Sequence, residues 1–385
     1  MAEHEGAALP ASAEVVVVGA GPVGLLLGAE LGRRGIDVLL LERRAQAGGG
    51  TRAIGIHAPV LAALEASGLT ERLLADAVRV PRGEAWAGRR LIGTVRFDRL
   101  DVRFPFVATL PQAATEAALA LEAPPARRGV EVAAVRRRGE GMLVRTAHGD
   151  VASRIVVVAG GAAGRALAYR QDAVRARRYR DRYLMTDADV GDDSPVAAVR
   201  LAHGGVLESF PLPHGRRRFV AWDHRPHEDD PASRRERLRE TVAAHGLAEA
   251  AERITAATGF AVRRAVAPRL RRDRLIVVGD AAHEISPIGG QGMNLGLLDA
   301  VTLAPIVAAW VRGGEPREVE LRRWERRRVA SARIAAVIAA ANTAIGRPLP
   351  TPADAMRRHA LRAALTPLAA RLLAHAYAMG FDRDA

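Results

Sequence analysis

The segment VVVVGAGPVG, residues 15–24, decides how the first part of this chain folds. Four consecutive valines are typical of a parallel strand that is buried on both faces. The glycines Gly19, Gly21 and Gly24 then follow the Gly-x-Gly-x-x-Gly spacing. In that spacing the first glycine permits a tight turn, the second lets the backbone approach a pyrophosphate, and the third lets the following helix pack closely on the sheet. The segment therefore predicts a dinucleotide-binding turn.

The residues after this turn complete a strand–helix–strand unit. Their pattern predicts a helix over about residues 23–34, which Gly35 ends, and a second strand over residues 36–41. Glu42 follows at the end of that strand. An acidic side chain at this point of a dinucleotide-binding unit can accept hydrogen bonds from a ribose.

A second glycine-rich segment lies in the last third of the chain. An apolar strand over residues 274–279 leads into Asp280, then into PIGGQGMN at residues 287–294, and then into a long apolar helix. An acid at a strand end can hold a ribityl hydroxyl. The positive N-terminal end of a helix can face a flavin ring and stabilise negative charge on the reduced ring. This segment therefore favours a flavin dinucleotide.

These motifs together resemble a known family. GDAAH at residues 279–283, with Pro287 and GGQGMN at residues 289–294, closely resembles the second FAD motif of the class A FAD-dependent flavoprotein monooxygenases, the p-hydroxybenzoate hydroxylase-like aromatic hydroxylases. Two further parts of the sequence are similar to cofactor-contacting segments of that family. The first is Glu42-Arg43 with the later Arg52-Ala53, and the second is Leu110-Pro111-Gln112 at a predicted helix start. The resemblance implies non-covalent FAD bound by Gly19, Gly21, Gly24, Glu42, Arg43, Arg52, Gln112, Asp280, Gly292, Met293 and Asn294.

The resemblance also implies a function. It indicates an FAD-dependent monooxygenase of secondary metabolism that takes electrons from NADPH or NADH. Such an enzyme inserts one oxygen atom of O2 into an aromatic or polyketide-like small molecule through a flavin C4a-hydroperoxide. Hydroxylation, epoxidation and Baeyer–Villiger insertion all remain open. Two alternatives also remain: an FAD-dependent dehydrogenase or reductase of a prenyl or polyketide substrate, and a non-catalytic flavin-binding protein. A flavin halogenase is set aside, because its family needs a lysine and this chain has none.

One departure from the family pattern concerns the reductant. The family usually carries an Asp-Gly pair after a strand, and the pair serves both FAD and the nicotinamide. Here the predicted strand over residues 154–159 runs into Gly160-Gly161, so the aspartate position is Gly160. A glycine offers backbone amides but no carboxylate, which puts conventional docking of NADH or NADPH in question.

A substrate layer is predicted between the two cofactor segments. Short apolar or alternating runs separated by glycine and proline turns predict antiparallel strands over residues 181–190, 196–202, 206–210 and 217–222. Phe210 and Trp222 are candidates for flanking an aromatic substrate, with packing in the core as the alternative for each. Pro287 belongs to the glycine-rich segment PIGGQGMN, residues 287–294, which we call the flavin loop. It is a third candidate substrate contact.

No catalytic residue is assigned from the sequence. His57, His203 and His283 are candidate acid/base groups, and for each the alternative is a cap, a turn or a packing role.

The fold class predicted is α/β, with a Rossmann-like FAD-binding domain interwoven with an antiparallel-sheet substrate domain and a helical C-terminal region. The predicted boundaries are 14–75, 106–170 and 268–312 for the three parts of the FAD-binding domain, 76–105 for a substrate-layer insertion, 171–267 for the substrate-binding sheet, and 313–385 for the C-terminal helices.

Composition narrows the function further. The chain contains no cysteine, which excludes disulfides, thiolate metal sites and a cysteinyl flavin, and no metal site is predicted. The net charge is +14, but the 57 basic residues are all arginine and are interspersed with acidic ones, which favours solvated faces over nucleic-acid binding. No apolar run long enough for a membrane span is evident, and Glu3 and Glu5 lie where a secretory signal needs positive charge. We therefore expect a cytoplasmic protein with a small-molecule partner and O2.

Overall fold

The computed structural model describes residues 8–48, 53–170, 172–225 and 230–382. The strands are β1 (Ser12–Val18), β2 (Val38–Glu42), β3 (Gly55–Ile56), β4 (Val78–Val80), β5 (Arg82–Ala87), β6 (Arg90–Arg96), β7 (Val107–Thr109), β8 (Arg127–Arg128), β9 (Val132–Arg138), β10 (Gly141–Thr146), β11 (Gly149–Val158), β12 (Arg177–Asp189), β13 (Val196–Ala202), β14 (Gly205–Leu212), β15 (Arg216–Trp222), β16 (Thr258–Val266), β17 (Arg271–Arg272), β18 (Leu275–Val277) and β19 (His283–Glu284). The α-helices are α1 (Pro22–Arg33), α2 (Ala58–Glu65), α3 (Leu69–Ala75), α4 (Gln112–Ala120), α5 (Gly161–Gly164), α6 (Pro231–Ala244), α7 (Ala248–Glu252), α8 (Gln291–Gly313), α9 (Glu318–Ile345), α10 (Thr351–Ala364) and α11 (Pro367–Tyr377).

The first sheet has a parallel centre, in the order β18-β11-β1-β2-β8. β17 pairs antiparallel with β18, and the hairpin β9–β10 pairs antiparallel with the start of β11. Val15, Val16 and Val17 are fully buried, because β1 lies between two strands and helices cover both faces of such a sheet. The predicted dinucleotide-binding unit is therefore the centre of this sheet.

The second sheet is mostly antiparallel, in the order β19-β16-β12-β15-β14-β13-β5-β6, with β13 and β5 parallel. Its strands come from the predicted substrate-binding sheet, from the predicted insertion over residues 76–105, and, in β19, from the second cofactor segment, so three parts of the chain meet in one sheet. With the helical C-terminal region, these two sheets confirm the predicted α/β class. The residue boundaries of the domains stay a prediction.

The two faces of the second sheet pack against different parts of the molecule. One face carries Leu184, Leu207 and Phe219, which pack with residues of α6 and α7. The opposite face, which we call the inner face, carries Tyr183, Val206 and Val220. These three residues pack with Ile288 of the glycine-rich segment, so the inner face is the one that meets the second cofactor motif.

A small sheet of three strands, β3-β7-β4, connects the two large sheets. The hydroxyl of Thr109, at the end of β7, donates a hydrogen bond of 2.7 Å to the carbonyl of Pro211 in β14. This buried contact fixes the second sheet relative to the chain segment that leads into α4.

The C-terminal region differs from the sequence prediction at one point. The helical pattern of residues 353–376 predicts one continuous helix, but α10 ends at Ala364 and α11 begins at Pro367. Proline has no N–H for the preceding turn, and it disfavours helical conformation in the residue before it. Pro367 therefore starts a new helix instead of continuing the old one.

Two helices, α8 and α9, are long and apolar enough to span a membrane by length and composition alone. Most of the apolar window of α8 is buried inside the protein, where α8 packs against α1 and α9. Core helices of ordinary globular domains meet the same criterion, so this feature is weak evidence for a membrane span.

Candidate cofactor and substrate site

The carboxyl ends of the parallel strands form one edge of the first sheet, and the cofactor motifs lie along it. The glycine turn follows β1, Glu42 ends β2, Gly160 follows β11, and Asp280 follows β18. Ligands of open α/β sheets bind at this edge. The topology therefore brings together segments that lie more than two hundred residues apart in the chain.

The three glycines of the first turn meet three different physical demands. Gly19 has φ +110°, and a Cβ there would lie 2.6 Å from the carbonyl oxygen of Ala159. A Cβ on Gly24 would lie 1.8 Å from the carbonyl oxygen of Gly19, because α1 begins directly against the turn. A Cβ on Gly21 would have no atom of the described residues within 4 Å. Gly21 thus faces open space, as a residue does whose backbone a pyrophosphate can approach.

Glu42 is buried beside this turn and is already hydrogen-bonded. One of its carboxylate oxygens accepts from the N–H of Ala20 at 2.9 Å, and the other accepts from the backbone and side chain of Arg44 at 3.0 Å. Burial opposes ionisation, but these hydrogen bonds hold the pKa of Glu42 below its usual range. Arg43, the predicted contact, is exposed, and sequence reasoning missed its neighbour Arg44.

The turn after β18 accepts hydrogen bonds from an arginine side chain, Arg165, that sequence reasoning missed. Gly279 adopts φ +63° and Asp280 is exposed. Arg165 donates to the carbonyl oxygens of Asp280, at 2.8 Å, and Ala281, at 3.2 Å. Arg165 directly follows α5, close to Gly160 just after β11. Its hydrogen bonds therefore connect the segment after β11 to the turn after β18.

Helix α8 points its N-terminus into the same region. The helix is preceded by Gly290, which has φ +69°, and no side chain of the described residues caps this end. The first N–H groups of a helix have no intrahelical acceptor and carry the positive end of the helix dipole. The amides of Gly292 and Met293 are therefore available for the flavin ring, as the sequence predicts.

Asn294 has a different local role from its neighbours. Its side-chain oxygen accepts from the N–H of His57 at 2.8 Å, and its amide nitrogen donates to the carbonyls of Gly55 and Gly290 at 2.8 and 3.0 Å. The side chain is fully buried. It fastens the start of α2 to the start of α8, so a direct contact of this side chain with FAD is not needed to explain it.

A buried ionic network lies behind the flavin loop. His283 Nε2 lies 2.6 Å from Asp299, which also accepts from the N–H of Gly279 at 3.0 Å. Arg328 of α9 donates to Asp299 at 2.7 Å and to Asp382 at 2.6 Å. Burial opposes the ionisation of Asp299, yet His283 and Arg328 hold its pKa below the usual range. His283 therefore supports the loop from within the protein core.

The other predicted cofactor residues fall in three situations. The Gln112 side chain accepts from the N–H of Ala53 at 3.3 Å and donates to Glu116 at 2.8 Å. Arg52 lies outside the described residues. Gly160 has φ −77°, a value open to any residue, and a Cβ there would lie 3.3 Å from the Cα of Gly164. The contacts of all of these residues with FAD stay predictions.

The inner face of the second sheet holds two of the predicted substrate contacts. Pairing of β14 with β15 places Phe210 opposite Arg218 and Glu208 opposite Val220, so Phe210 and Trp222 share that face. Trp222 donates its indole N–H to Asp181 at 3.3 Å. Both aromatic side chains are half-buried.

The candidate acid/base histidines are in unequal positions. Burial lowers the pKa of His57 to about 4, so this imidazole is neutral at physiological pH, and among the residues that the structure describes its Nδ1 has no hydrogen-bond partner. His203 lies exposed in the β13–β14 turn. Of the two, only His57 lies beside the flavin loop, where its Nε2 is 3.7 Å from the position of a Cβ on Gly290.

Sequence reasoning missed the polar groups of the inner face. Glu208 is buried, and burial alone raises its pKa to about 8. Tyr183 is fully buried, and its hydroxyl has no hydrogen-bond partner in the described part of the chain. The hydroxyl of Tyr377, in α11, donates to Asn342 at 2.6 Å. The alternation of β14 was visible in the sequence, but Tyr377, which faces Glu208, comes from a remote part of the chain.

Two cavities, of about 620 and 890 Å³, lie away from this region. The first opens on the α7 side of the second sheet, and the second lies between β17 and α9. Neither includes the glycine turns or the inner face. The cofactor site is therefore identified from backbone geometry and hydrogen-bonding groups, and not from cavity volume.

These observations fit FAD. The open approach at Gly21, the acid at the end of β2 and the uncapped N-terminus of α8 supply groups for a pyrophosphate, a ribose and an electron-rich ring edge. They define a flavoprotein with a dinucleotide-binding sheet and a second sheet over the flavin loop.

The chain belongs to the FAD binding domain family, whose model matches residues 12–337. It is 32% identical over 319 residues to rifampicin monooxygenase of Streptomyces venezuelae, an alignment that covers 79% of this chain and 65% of that protein. The chain thus spans just under two thirds of the length of several curated relatives.

Two further similarities extend over more of the chain. Dialkyldecalin synthase of Streptomyces rugosporus is 29% identical over 381 residues, which cover 94% of this chain and 78% of that protein. The crystal structure of p-nitrophenol 4-monooxygenase from Pseudomonas putida superposes with a TM-score of 0.87, over 97% of this chain and 100% of that one. At 22% identity the second similarity shows the fold alone.

Proposed function

We propose that this protein is an FAD-dependent monooxygenase that inserts one oxygen atom from O2 into an aromatic or polyketide-like small molecule. The proposal is carried by one observation: Ile288 of the flavin loop packs in one cluster with Tyr183, Val206 and Val220 of the inner face. A substrate held against that face would lie next to the cofactor loop. Similarity to rifampicin monooxygenase supports the same reaction class.

FAD, when bound, supplies the redox chemistry that activates O2 with electrons from NADPH or NADH. The remaining contributions come from the protein. The turn at Gly19–Gly24 binds the pyrophosphate, and the N-terminus of α8 favours negative charge beside it. The inner face, with Phe210 and Trp222 on it, excludes water and orients the substrate, and Pro287 in the neighbouring glycine-rich segment stays a predicted substrate contact.

Oxygen labelling tests this function. FAD-loaded protein is incubated with NADPH or NADH, 18O2 and anhydrotetracycline, the substrate named for one relative, alongside a set of smaller phenols. We expect a product that carries one 18O atom. Reductant-driven O2 consumption that yields only hydrogen peroxide with every substrate would contradict the proposal, and flavin-free protein serves as the control.

A second candidate is a ring-forming reaction without net oxidation. It is favoured by the alignment with dialkyldecalin synthase, which extends over almost the whole chain, and by the lack of a carboxylate at Gly160, where the family pattern places one for the reductant. This candidate requires a product with the mass of the substrate and no need for NADPH. The labelling experiment distinguishes it, since an isomerised, unlabelled product identifies ring formation.

A dehydrogenase or reductase activity, and a non-catalytic flavin-binding role, remain alternatives that the same experiment would reveal. A reductase would oxidise NADPH and change the substrate by two hydrogens without label. A cytoplasmic location and the absence of a membrane span stay part of the proposal.

A further inference from the structure

The inner face carries a carboxyl group to which the proposed reaction gives no role. In β14 the side chain of Glu208 lies opposite Val220 of β15, and Val220 lies opposite Met185 of β12. Met185 and Val220 belong to the cluster that includes Ile288 of the flavin loop. Glu208 therefore points towards the region between the sheet and the cofactor loop.

Neither Glu208 nor its neighbour Tyr183 is satisfied by the protein. Glu208 is 6% exposed and Tyr183 is 0% exposed. Within the described ranges the Tyr183 hydroxyl has no partner, and no hydrogen bond or ion pair reaches the Glu208 carboxyl. Buried polar groups are nearly always paired, because an unmet hydroxyl or carboxyl costs its lost hydration. The unpaired Tyr183 hydroxyl, with the Glu208 carboxyl on the same face, therefore indicates a ligand that pairs with them.

The charged and titratable groups around Glu208 explain its protonation. Tyr183 faces it from β12, and Tyr377 faces it from α11. Arg218 of β15 lies diagonally to Glu208 on the same face and is paired with Asp187 at 2.6 and 2.7 Å. Arg347, which acts on Tyr183, forms a bidentate ion pair with Asp181 at 2.7 to 3.2 Å. Burial without a cationic partner raises the pKa of Glu208 to about 8, so at neutral pH the group is a carboxylic acid.

A neutral carboxylic acid and a phenol both donate a hydrogen bond. The hydroxyl of Tyr377 is already used, since it donates to Asn342. Glu208 and Tyr183 are then two donors without an acceptor, on the apolar face next to the flavin loop. The complementary ligand is a fused-ring compound with an acceptor oxygen, such as a ketone or quinone carbonyl.

We propose that Glu208 and Tyr183 form the polar end of the substrate site and bind a carbonyl oxygen of a fused-ring, polyketide-like ketone. A site built to donate hydrogen bonds discriminates strongly against an analogue that lacks the acceptor. The inference deepens the proposed function and rests on it for the identity of the ligand as the substrate. It makes Glu208 and Tyr183 specificity-determining residues.

The test measures binding alone. FAD-loaded protein without NADPH is equilibrated with 9-fluorenone or with fluorene, which has the same rings but no carbonyl. At pH 7 we expect about tenfold or greater preference for the ketone, as expected for two neutral hydrogen bonds. The preference should fall as the pH rises through 8, because an ionised Glu208 no longer donates.

Variants assign the effect to these side chains. Glu208→Gln keeps a donor, so it should retain the ketone preference and lose the pH dependence. Glu208→Leu and Tyr183→Phe should each reduce the preference severalfold. Ser209→Ala, which alters the next residue on the opposite face, should leave it unchanged. FAD content and melting temperature verify that each variant is folded.

Three results would overturn the inference: equal affinity of the wild-type protein for both compounds, binding of neither, or an unchanged preference in Glu208→Leu. Because the assay needs no turnover, a ketone preference that depends on Glu208 would stand even if no labelled oxygen reached any product. Conversely, the labelling experiment could give labelled product while the Glu208→Leu variant keeps its ketone preference in the binding assay. That result would refute this inference and leave the monooxygenase proposal intact.

Discussion

Two buried glutamates show how surroundings decide the behaviour of the same side chain. Glu42 receives hydrogen bonds from Ala20 and Arg44, which hold its pKa below the usual range although burial opposes ionisation. Glu208 receives none, and burial raises its pKa to about 8. The first is therefore a carboxylate suited to accept from a ribose, and the second an acid suited to donate.

The raised pKa of Glu208 predicts a pH-dependent stability. The folded chain keeps this proton up to about pH 8, whereas the unfolded chain releases it near the ordinary glutamate pKa. The contribution is thus fully present below the unfolded pKa and is lost as the pH rises towards 8. Glu208→Gln removes this loss, so at pH 8 it should be more stable than the wild type by a few kcal/mol, on the order of 1.4 kcal/mol per unit of pKa shift.

Urea unfolding of both proteins at pH 5 and pH 8 measures this difference. The advantage of the variant should be small at pH 5 and should grow towards pH 8. If the two proteins lost stability in parallel over this range, Glu208 would not be protonated in the folded state.

Gly160 permits a direct test of the missing carboxylate. Since its φ is −77°, an aspartate fits the backbone, and its Cβ would meet the Cα of Gly164 at 3.3 Å, which a small local shift can relieve. We expect Gly160→Asp to keep its FAD and to be reduced faster by NADH or NADPH in stopped-flow measurements. Gly160→Ala, which adds the Cβ without the charge, is the matched control. Equal rates in the two variants would show that a carboxylate here does not assist the reductant.

At the scale of elements, the six residues Gly19–Gly24 join β1 to α1 and also form the predicted binding turn for the pyrophosphate. Gly24 is required by packing, since a Cβ would lie 1.8 Å from the Gly19 carbonyl, while at Gly21 the same atom would meet nothing within 4 Å. The two positions therefore separate folding from cofactor binding.

Substitution by alanine should reveal this separation. Gly24→Ala should lower the melting temperature, because the overlap displaces α1 and overpacking of this kind typically costs about 1–3 kcal/mol or more. Gly21→Ala should melt near the wild-type apoprotein but retain less FAD after desalting, because its methyl group occupies the path of the pyrophosphate. Full FAD retention by a folded Gly21→Ala would remove the assignment of this turn to the pyrophosphate.

At the scale of the whole molecule, the C-terminal helices complete the site. Arg328 of α9 joins Asp299 of α8 to Asp382 near the chain end, and Asp299 in turn holds the flavin loop through His283 and the N–H of Gly279. A second link joins Arg347, after α9, to Asp181 of the second sheet. The last part of the chain therefore fixes both the cofactor loop and the substrate sheet.

This arrangement predicts a large effect at Arg328. Its side chain is fully buried, and Arg328→Met would remove the cation that pairs with Asp299 and Asp382, a change that typically costs about 3–5 kcal/mol. We expect a clear drop in melting temperature and in FAD retention. Arg333→Met, an exposed arginine of the same helix, is the control and should change little. Similar melting of both variants would mean that the network does not hold the loop.

The sequence by itself determined the local units of this protein. The run of four valines, the spacing of Gly19, Gly21 and Gly24, and the GDAAH and GGQGMN segments are short-range patterns. Each follows from the backbone freedom of glycine and from the burial of a parallel strand, so the α/β class and the cofactor segments could be predicted. The sequence also contains Pro367, at which α11 begins. The residues on both sides of Pro367 have a helical pattern, which by itself predicts one continuous helix.

Only the tertiary structure decided which polar groups are satisfied. Arg165 reaches the turn at Asp280, Arg328 reaches Asp299 and Asp382, and Tyr377 of α11 faces Glu208, all across long separations in the chain. Burial and hydrogen-bond pairing depend on what packs against a group, and no spacing rule encodes that for residues that far apart. The alternation of β14 therefore predicts from sequence which residues share a face with Glu208. Its protonation and its position beside the flavin loop depend on the tertiary structure, because residues remote in the chain surround it.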